Sequence, residues 1–156
     1  MDFNSALDTK ASDVEKPPVM PQGTYIWKVS KVPSLSTSKS GEWSIVEFPI
    51  RGVQAEDDVD PDELEEFGGV GSAINRISFM APTADTPEGE ADRKKAMYRI
   101  KKFCQETLRV DADDNATLRE LLDASVECQF LAQAAWRMSD DGEETYIDVK
   151  NYAALD

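Results

Sequence analysis

At 156 residues the chain has the length of one domain and is long enough to build a hydrophobic core without disulfides or a metal staple. Its net charge is −14, from 31 acidic and 17 basic residues, and it contains no histidine. That removes the commonest general base, the commonest metal ligand and every Ser-His or Cys-His nucleophile. No Gly-rich phosphate loop or paired-carboxylate motif is present either, so a non-enzymatic protein without cofactor or metal is expected.

Residues 1–22 read as a polar arm, in which Pro17, Pro18 and Pro21 break any regular element. Residues 1–23 carry no apolar run flanked by basic residues, and no stretch approaches the ~20 apolar residues that span a bilayer. A cytoplasmic protein without a membrane partner is the expectation. Cys104 and Cys128 sit among apolar residues and read as buried thiols in a reducing compartment.

Residues 24–32, bounded by Gly23 and Pro33, predict a first strand rich in β-branched and aromatic residues. Residues 33–42 are Ser-rich and predict a mobile loop. Trp43 to Val53 predicts a second strand, in which Pro49 demands an edge position or a bulge. Residues 54–72 form an acidic insertion ending in Gly68, Gly69 and Gly71, with Pro61 opening a short helical turn that carries Leu64 and Phe67. A third strand follows over residues 73–81. Thr86-Pro87-Glu88 has the form of a helix start. From there Ala96, Met97, Ile100, Phe103, Cys104 and Leu108 recur at helical spacing. Thr117 and Glu120 make a capping box for a second short helix. Residues 127–138 alternate, with Cys128, Phe130, Ala132, Ala134, Trp136 and Met138 on one face. Asp140-Asp141-Gly142 marks a hairpin turn, and residues 144–150 return.

The order is β-β-β-α-(α)-β-β: mainly β with helices, and the order of an OB-fold-like five-stranded barrel over residues 23–156. Strand alternation sorts the faces. Tyr25, Trp27, Val46, Phe48, Ile50, Ile77, Phe79, Ile147 and Val149 look inward, and Trp27 and Trp136 read as core. Lys28, Trp43, Arg51, Arg76, Arg137, Tyr146 and Lys150 fall on the opposite face, and Lys39 lies in the Ser-rich loop where such a barrel places its first binding loop. Cations that track phosphates, with aromatics between them, are what a single nucleic-acid strand requires. Plain solvent exposure of a half-buried sheet is the competing reading, and Glu47 and Asp148 lie on the same face.

Charge is segregated along the chain. Residues 56–66 hold eight acids, more than half of the net excess, whereas residues 93–102 hold Arg93, Lys94, Lys95, Arg99, Lys101 and Lys102. Phosphate responds to the local field, which a Debye length of ~8 Å confines. The basic helix reads as a solvated amphipathic face or as a phosphate contact. The acidic loop reads as a solubility device, or as a dock for basic partners that could also occlude the groove.

The blocks Pro21-Gln-Gly-Thr-Tyr-Ile-Trp-Lys-Val-Ser-Lys, Trp43-Ser-Ile-Val-Glu-Phe-Pro-Ile-Arg-Gly, Lys101-Lys-Phe-Cys-Gln-Glu-Thr-Leu, Phe130-Leu-Ala-Gln-Ala-Ala-Trp-Arg and Tyr146-Ile-Asp-Val-Lys-Asn-Tyr, taken in order, resemble a bacteriophage single-stranded-DNA-binding protein of the OB-fold type. The resemblance implies a protein that coats single-stranded DNA, without sequence preference, during phage DNA replication or recombination in the host cytoplasm. Such proteins often recruit partners through an acidic C-terminal tail. Here the acidic run is internal, and 56–66 is the candidate substitute for docking replication or recombination proteins. The rival expectation is an acidic interaction protein, or DNA mimic, that inhibits a host DNA-binding enzyme. The sequence leaves the oligomeric state open, a homo-oligomer included.

Overall fold

The computed structural model describes residues 2–156 and is mainly β with helices. Six strands form one antiparallel sheet: β1 (Gly23–Val29), β2 (Ser34–Thr37), β3 (Trp43–Ala55), β4 (Ile74–Pro82), β5 (Gln129–Met138) and β6 (Thr145–Ala154). Four α-helices accompany it: α1 (Phe3–Ala6), α2 (Pro61–Phe67), α3 (Pro87–Lys102) and α4 (Leu118–Ala124). Strand neighbours run β4-β3-β1-β5-β6, with β2 beside β3 beyond the end of β1. Among the described residues no ladder joins β4 to β6, so the sheet is not a closed barrel. The two end strands nevertheless meet through one side chain: Asn75 Nδ2 donates to the Ile147 carbonyl at 3.1 Å.

The core is where alternation places it. Tyr25, Trp27, Val29, Phe48, Ile50 and Phe130 are fully buried, and α3 lays Ala96 and Ile100 against them. A π-helical turn, Phe103–Thr107, extends α3. It sets the Phe103 ring edge-on to Phe48 at 5.1 Å and to Phe130 at 5.5 Å, geometries that the ring quadrupole favours. Both helix starts read from sequence are present. Thr86 Oγ1 accepts from Gly89 N at 3.0 Å, and Thr117 Oγ1 accepts from Glu120 N at 3.1 Å. Both cysteines are free thiols; burial pushes the Cys104 thiol up to about 12.

Several expectations require correction. The sheet has six strands, because the Ser-rich segment is not wholly a loop. Ser34–Thr37 pairs with Ser44–Glu47, although all four residues are exposed. The strand exists because β3 runs past the end of β1 and offers its unpaired edge, which overrides weak local propensity. The same geometry accommodates Pro49 in a strand with neighbours on both sides. The β1 ladder ends at Ile50 and the β2 ladder resumes at Glu47. Pro49 sits in that gap, where only its carbonyl is used, accepting from Ser30 N at 2.9 Å.

Trp136 and Met138 share the inward face but are 43% and 55% exposed, so Trp136 is not core. β1 begins opposite Ala134, and the outer half of the β5–β6 hairpin therefore projects beyond the sheet. The N-terminal arm meets the Trp136 side chain there: Trp136 Nε1 donates to the Met20 carbonyl at 2.7 Å, and Met20 is itself buried. Finally, β6 does not stop at Lys150. A bulge at Asn151 (φ 57°) lets it continue to Ala154 opposite Phe130.

The acidic insertion is anchored rather than free. Asp60 caps α2 by accepting from Asp62 N at 2.9 Å and Glu63 N at 3.2 Å, and Gly68 ends the helix at φ 113°. Val59 is buried, and Leu64 and Phe67 pack on the core. Asp58 ties the segment to β1, accepting from both the amide and the hydroxyl of Thr24 at 2.8 Å. The amide bond above all favours the charged form and holds the Asp58 carboxyl below its ordinary 3.8. A depressed folded pKa contributes stability that is complete above the unfolded value and disappears as pH falls through the folded one. Asp58→Asn is therefore expected to melt below the unaltered protein at neutral pH. The gap should shrink as the pH drops below 3.8, which melts taken across that range would read directly.

Candidate nucleic-acid interface

Cross-strand register fixes which side chains share a face. On the outer face of β1, β3 and β4, Lys28 lies opposite Arg51, and Arg51 opposite Ile74. The next outward pairs along β3 and β4 are Pro49–Arg76, Glu47–Ser78, Ile45–Met80 and Trp43–Pro82. The surface thus runs from a cationic end at Lys28, Arg51 and Arg76 to an apolar end at Met80 and Trp43. Ile74, Met80 and Trp43 are 64%, 44% and 40% exposed. Ile74 and Met80 belong to this face, and sequence reasoning missed them. The signal was available, since they stand at even spacing with Arg76 and Ser78.

The remaining site residues lie around the curl of the sheet. Arg137 on β5 faces Tyr146 on β6, with its guanidinium carbon 4.9 Å from the ring centre, a cation–π contact. Because β4 and β6 approach one another, these two residues and Arg76 line one cleft of about 660 Å³ along the open seam. Asn75, Ser78 and Tyr152 also line it. The structure therefore brings together Lys28, Arg51, Arg76 and Trp43 on one surface, with Arg137 and Tyr146 across the seam. Lys150 does not line the cleft; it faces Gln133 on the same outer face of β5–β6 as Arg137 and Tyr146, two same-face pairs farther along the ladder. Lys39 stands exposed in the β2–β3 turn, beyond the Trp43 end of the surface.

Electrostatics temper the cations. Lys28 pairs with Glu127 at 3.1 Å, Arg76 with Glu47 at 3.3 Å, and Arg137 with Asp148 at 3.1 Å. Surface pairs of this kind are worth only ~0–1 kcal/mol and exchange readily for another anion. Arg51, Lys39 and Lys150 form no ion pair among the described residues.

Among the described residues no helix is long and apolar enough to cross a membrane, and no group of three or more acidic or cysteine side chains is placed to hold a metal ion. No protein-family model matches the chain, and no curated protein sequence matches it.

Proposed function

We propose that the protein binds single-stranded DNA, without sequence preference, on the outer face of β3–β4, and that its sheet is an OB-type barrel left open between β4 and β6. The connectivity supports the barrel reading: β1, β3, β4, a helix, β5 and β6 follow the strand order of that fold. In such barrels oligonucleotides lie on the face of the second and third strands, between the loop after the first strand and the loop joining the last two. Here those features correspond to the β3–β4 face, to the β2–β3 turn with Lys39, and to the β5–β6 hairpin with Tyr146.

The observation that carries the reading is the shared register of Lys28, Arg51 and Arg76 with exposed Ile74, Met80 and Trp43. Cations engage the phosphates, and the flat apolar surface takes the bases, an arrangement that tolerates any sequence. Lys28, Arg76 and Arg137 would exchange their carboxylate partners for phosphate. A role in coating single strands during phage replication or recombination belongs to the same proposal. So does the docking of basic partners on the exposed acids Asp62, Glu63, Glu65 and Glu66 of α2.

Titration with oligo-dT, followed through tryptophan fluorescence, tests this. Binding with quenching, and weaker binding of the same length of duplex, is the expected result. No affinity for the oligonucleotide, together with inhibition of a DNA-binding enzyme, would replace the proposal with the acidic-mimic reading.

A further inference from the structure

The open seam does not end at the cleft that holds Arg76, Arg137 and Tyr146. Tyr152 lines that cleft and also a second hollow of about 290 Å³, whose other walls include Phe79, Phe103, Arg99 and Lys102. The bulge at Asn151 places Tyr152 over the core, where its ring meets Phe103 edge-on at 5.5 Å and Phe130 at 6.2 Å. Its hydroxyl donates to the Val149 carbonyl at 3.1 Å. The ring is thereby held from two sides, yet it remains 40% exposed toward the hollow and the seam. Phe79 and Phe103, with ring centres 5.7 Å apart, complete an aromatic floor.

The rim is cationic. Arg99 and Lys102 are three residues apart on α3, on one side of the helix, and both are exposed. Neither forms an ion pair among the described residues. Of the other cations of α3, Lys101 does not line the hollow and three are already engaged. Arg93 donates to the Pro82 and Ala84 carbonyls at 3.1 and 2.7 Å, and Lys94 and Lys95 lie beside Glu90 and Asp92. The helix thus holds two uncommitted cations where the seam reaches it, over an aromatic surface and with no acid lining the hollow.

Aromatic rings accept any base, and flanking cations accept the phosphates on either side of it. We propose that the single strand leaves the β3–β4 face, follows the β4–β6 seam and lodges a nucleotide in this hollow. One base rests against Tyr152, and the adjoining phosphates meet Arg99 and Lys102. The inference rests on the single-stranded-DNA reading and adds to it a path, a second subsite and a role for the basic helix.

The test compares the unaltered protein with the Arg99→Ala/Lys102→Ala double variant, whose substitutions touch only exposed side chains. Oligo-dT lengths at the lower and upper ends of the roughly 4–16 nucleotides that one such domain covers are the probes. The unaltered protein is expected to bind the longer oligomer more tightly, and the double variant to lose that advantage while keeping its affinity for the short one. For the long oligomer the slope of log K against log salt should flatten by about 1.4, two phosphates at roughly 0.7 each. Equal length dependence and equal salt slope in the two proteins would overturn the seam path while leaving the β3–β4 face intact. Absence of binding by the unaltered protein would overturn both together.

Discussion

Trp27→Ala is expected to destabilise the fold by about 3–5 kcal/mol, the usual cost of truncating a buried aromatic. Trp27 has no exposed surface, its ring lies 5.5 Å from that of Tyr25, and its Nε1 donates to the Ala132 carbonyl at 3.2 Å. It packs where β1 crosses between β3 and β5, the one strand that holds the two halves of the sheet together. A loss of this size is a large fraction of the ~5–15 kcal/mol that keeps a domain folded. Denaturant unfolding should show it as a lower midpoint. Trp27→Phe keeps most of the volume and removes one hydrogen bond, so it should cost about 1 kcal/mol from that bond, plus a smaller packing loss. An alanine variant as stable as the unaltered protein would contradict the placement of β1 at the centre of the sheet.

Trp43→Ala is expected to act in the opposite way, leaving stability nearly unchanged and weakening oligo-dT binding. The side chain is 40% exposed at the apolar end of the β3–β4 face. Its backbone pairs with Ser38 whatever side chain it carries, through a Ser38 N to Trp43 O bond of 2.8 Å. Removing one stacking ring costs ~1–3 kcal/mol per base, or roughly a five- to 150-fold loss of affinity. The variant should also lose most of the fluorescence quenching, because Trp27 is sealed in the core and Trp136, although 43% exposed, lies on the opposite face of β5 from Arg137 and outside the cleft. Unchanged affinity would remove Trp43 from the binding surface.

The contrast between these two tryptophans was legible in the sequence, because alternation within a strand needs only the strand. The same holds for Lys28, Arg51 and Arg76, whose outward face follows from their spacing to Trp27, Ile50 and Ile77, and for the caps at Thr86 and Thr117. What escaped was set by relations between strands. Ser34–Thr37 becomes a strand only because β3 outruns β1, and Pro49 is tolerated only because of the gap this leaves. Trp136 alternates as a core residue should, but no part of the sheet extends far enough to cover it. The bulge at Asn151, which brings Tyr152 to the seam, leaves only a weak local signal, an Asn that tolerates positive φ. The seam itself is a property of how far the sheet curls, which no single segment encodes. Pairing of Lys28 with Glu127 likewise joins two loop-and-strand positions far apart in the chain.

Net charge was the largest objection to DNA as a ligand, and the structure localises it. Much of it belongs to a capped helix anchored through Asp58 and Val59, and the β3–β4 face itself carries Glu47 as its only acid. The competition between that acid and a phosphate for Arg76 should appear in the salt response. The most direct measurement is therefore the affinity for oligo-dT across a salt series. Engagement of Lys28, Arg51, Arg76 and Arg137 on the face and seam, with the Arg99 and Lys102 subsite left empty by a short oligomer, predicts a log–log slope near −3, at roughly 0.7 per phosphate. Affinity independent of salt, or none at ~50 mM salt where such contacts are strong, would contradict the account.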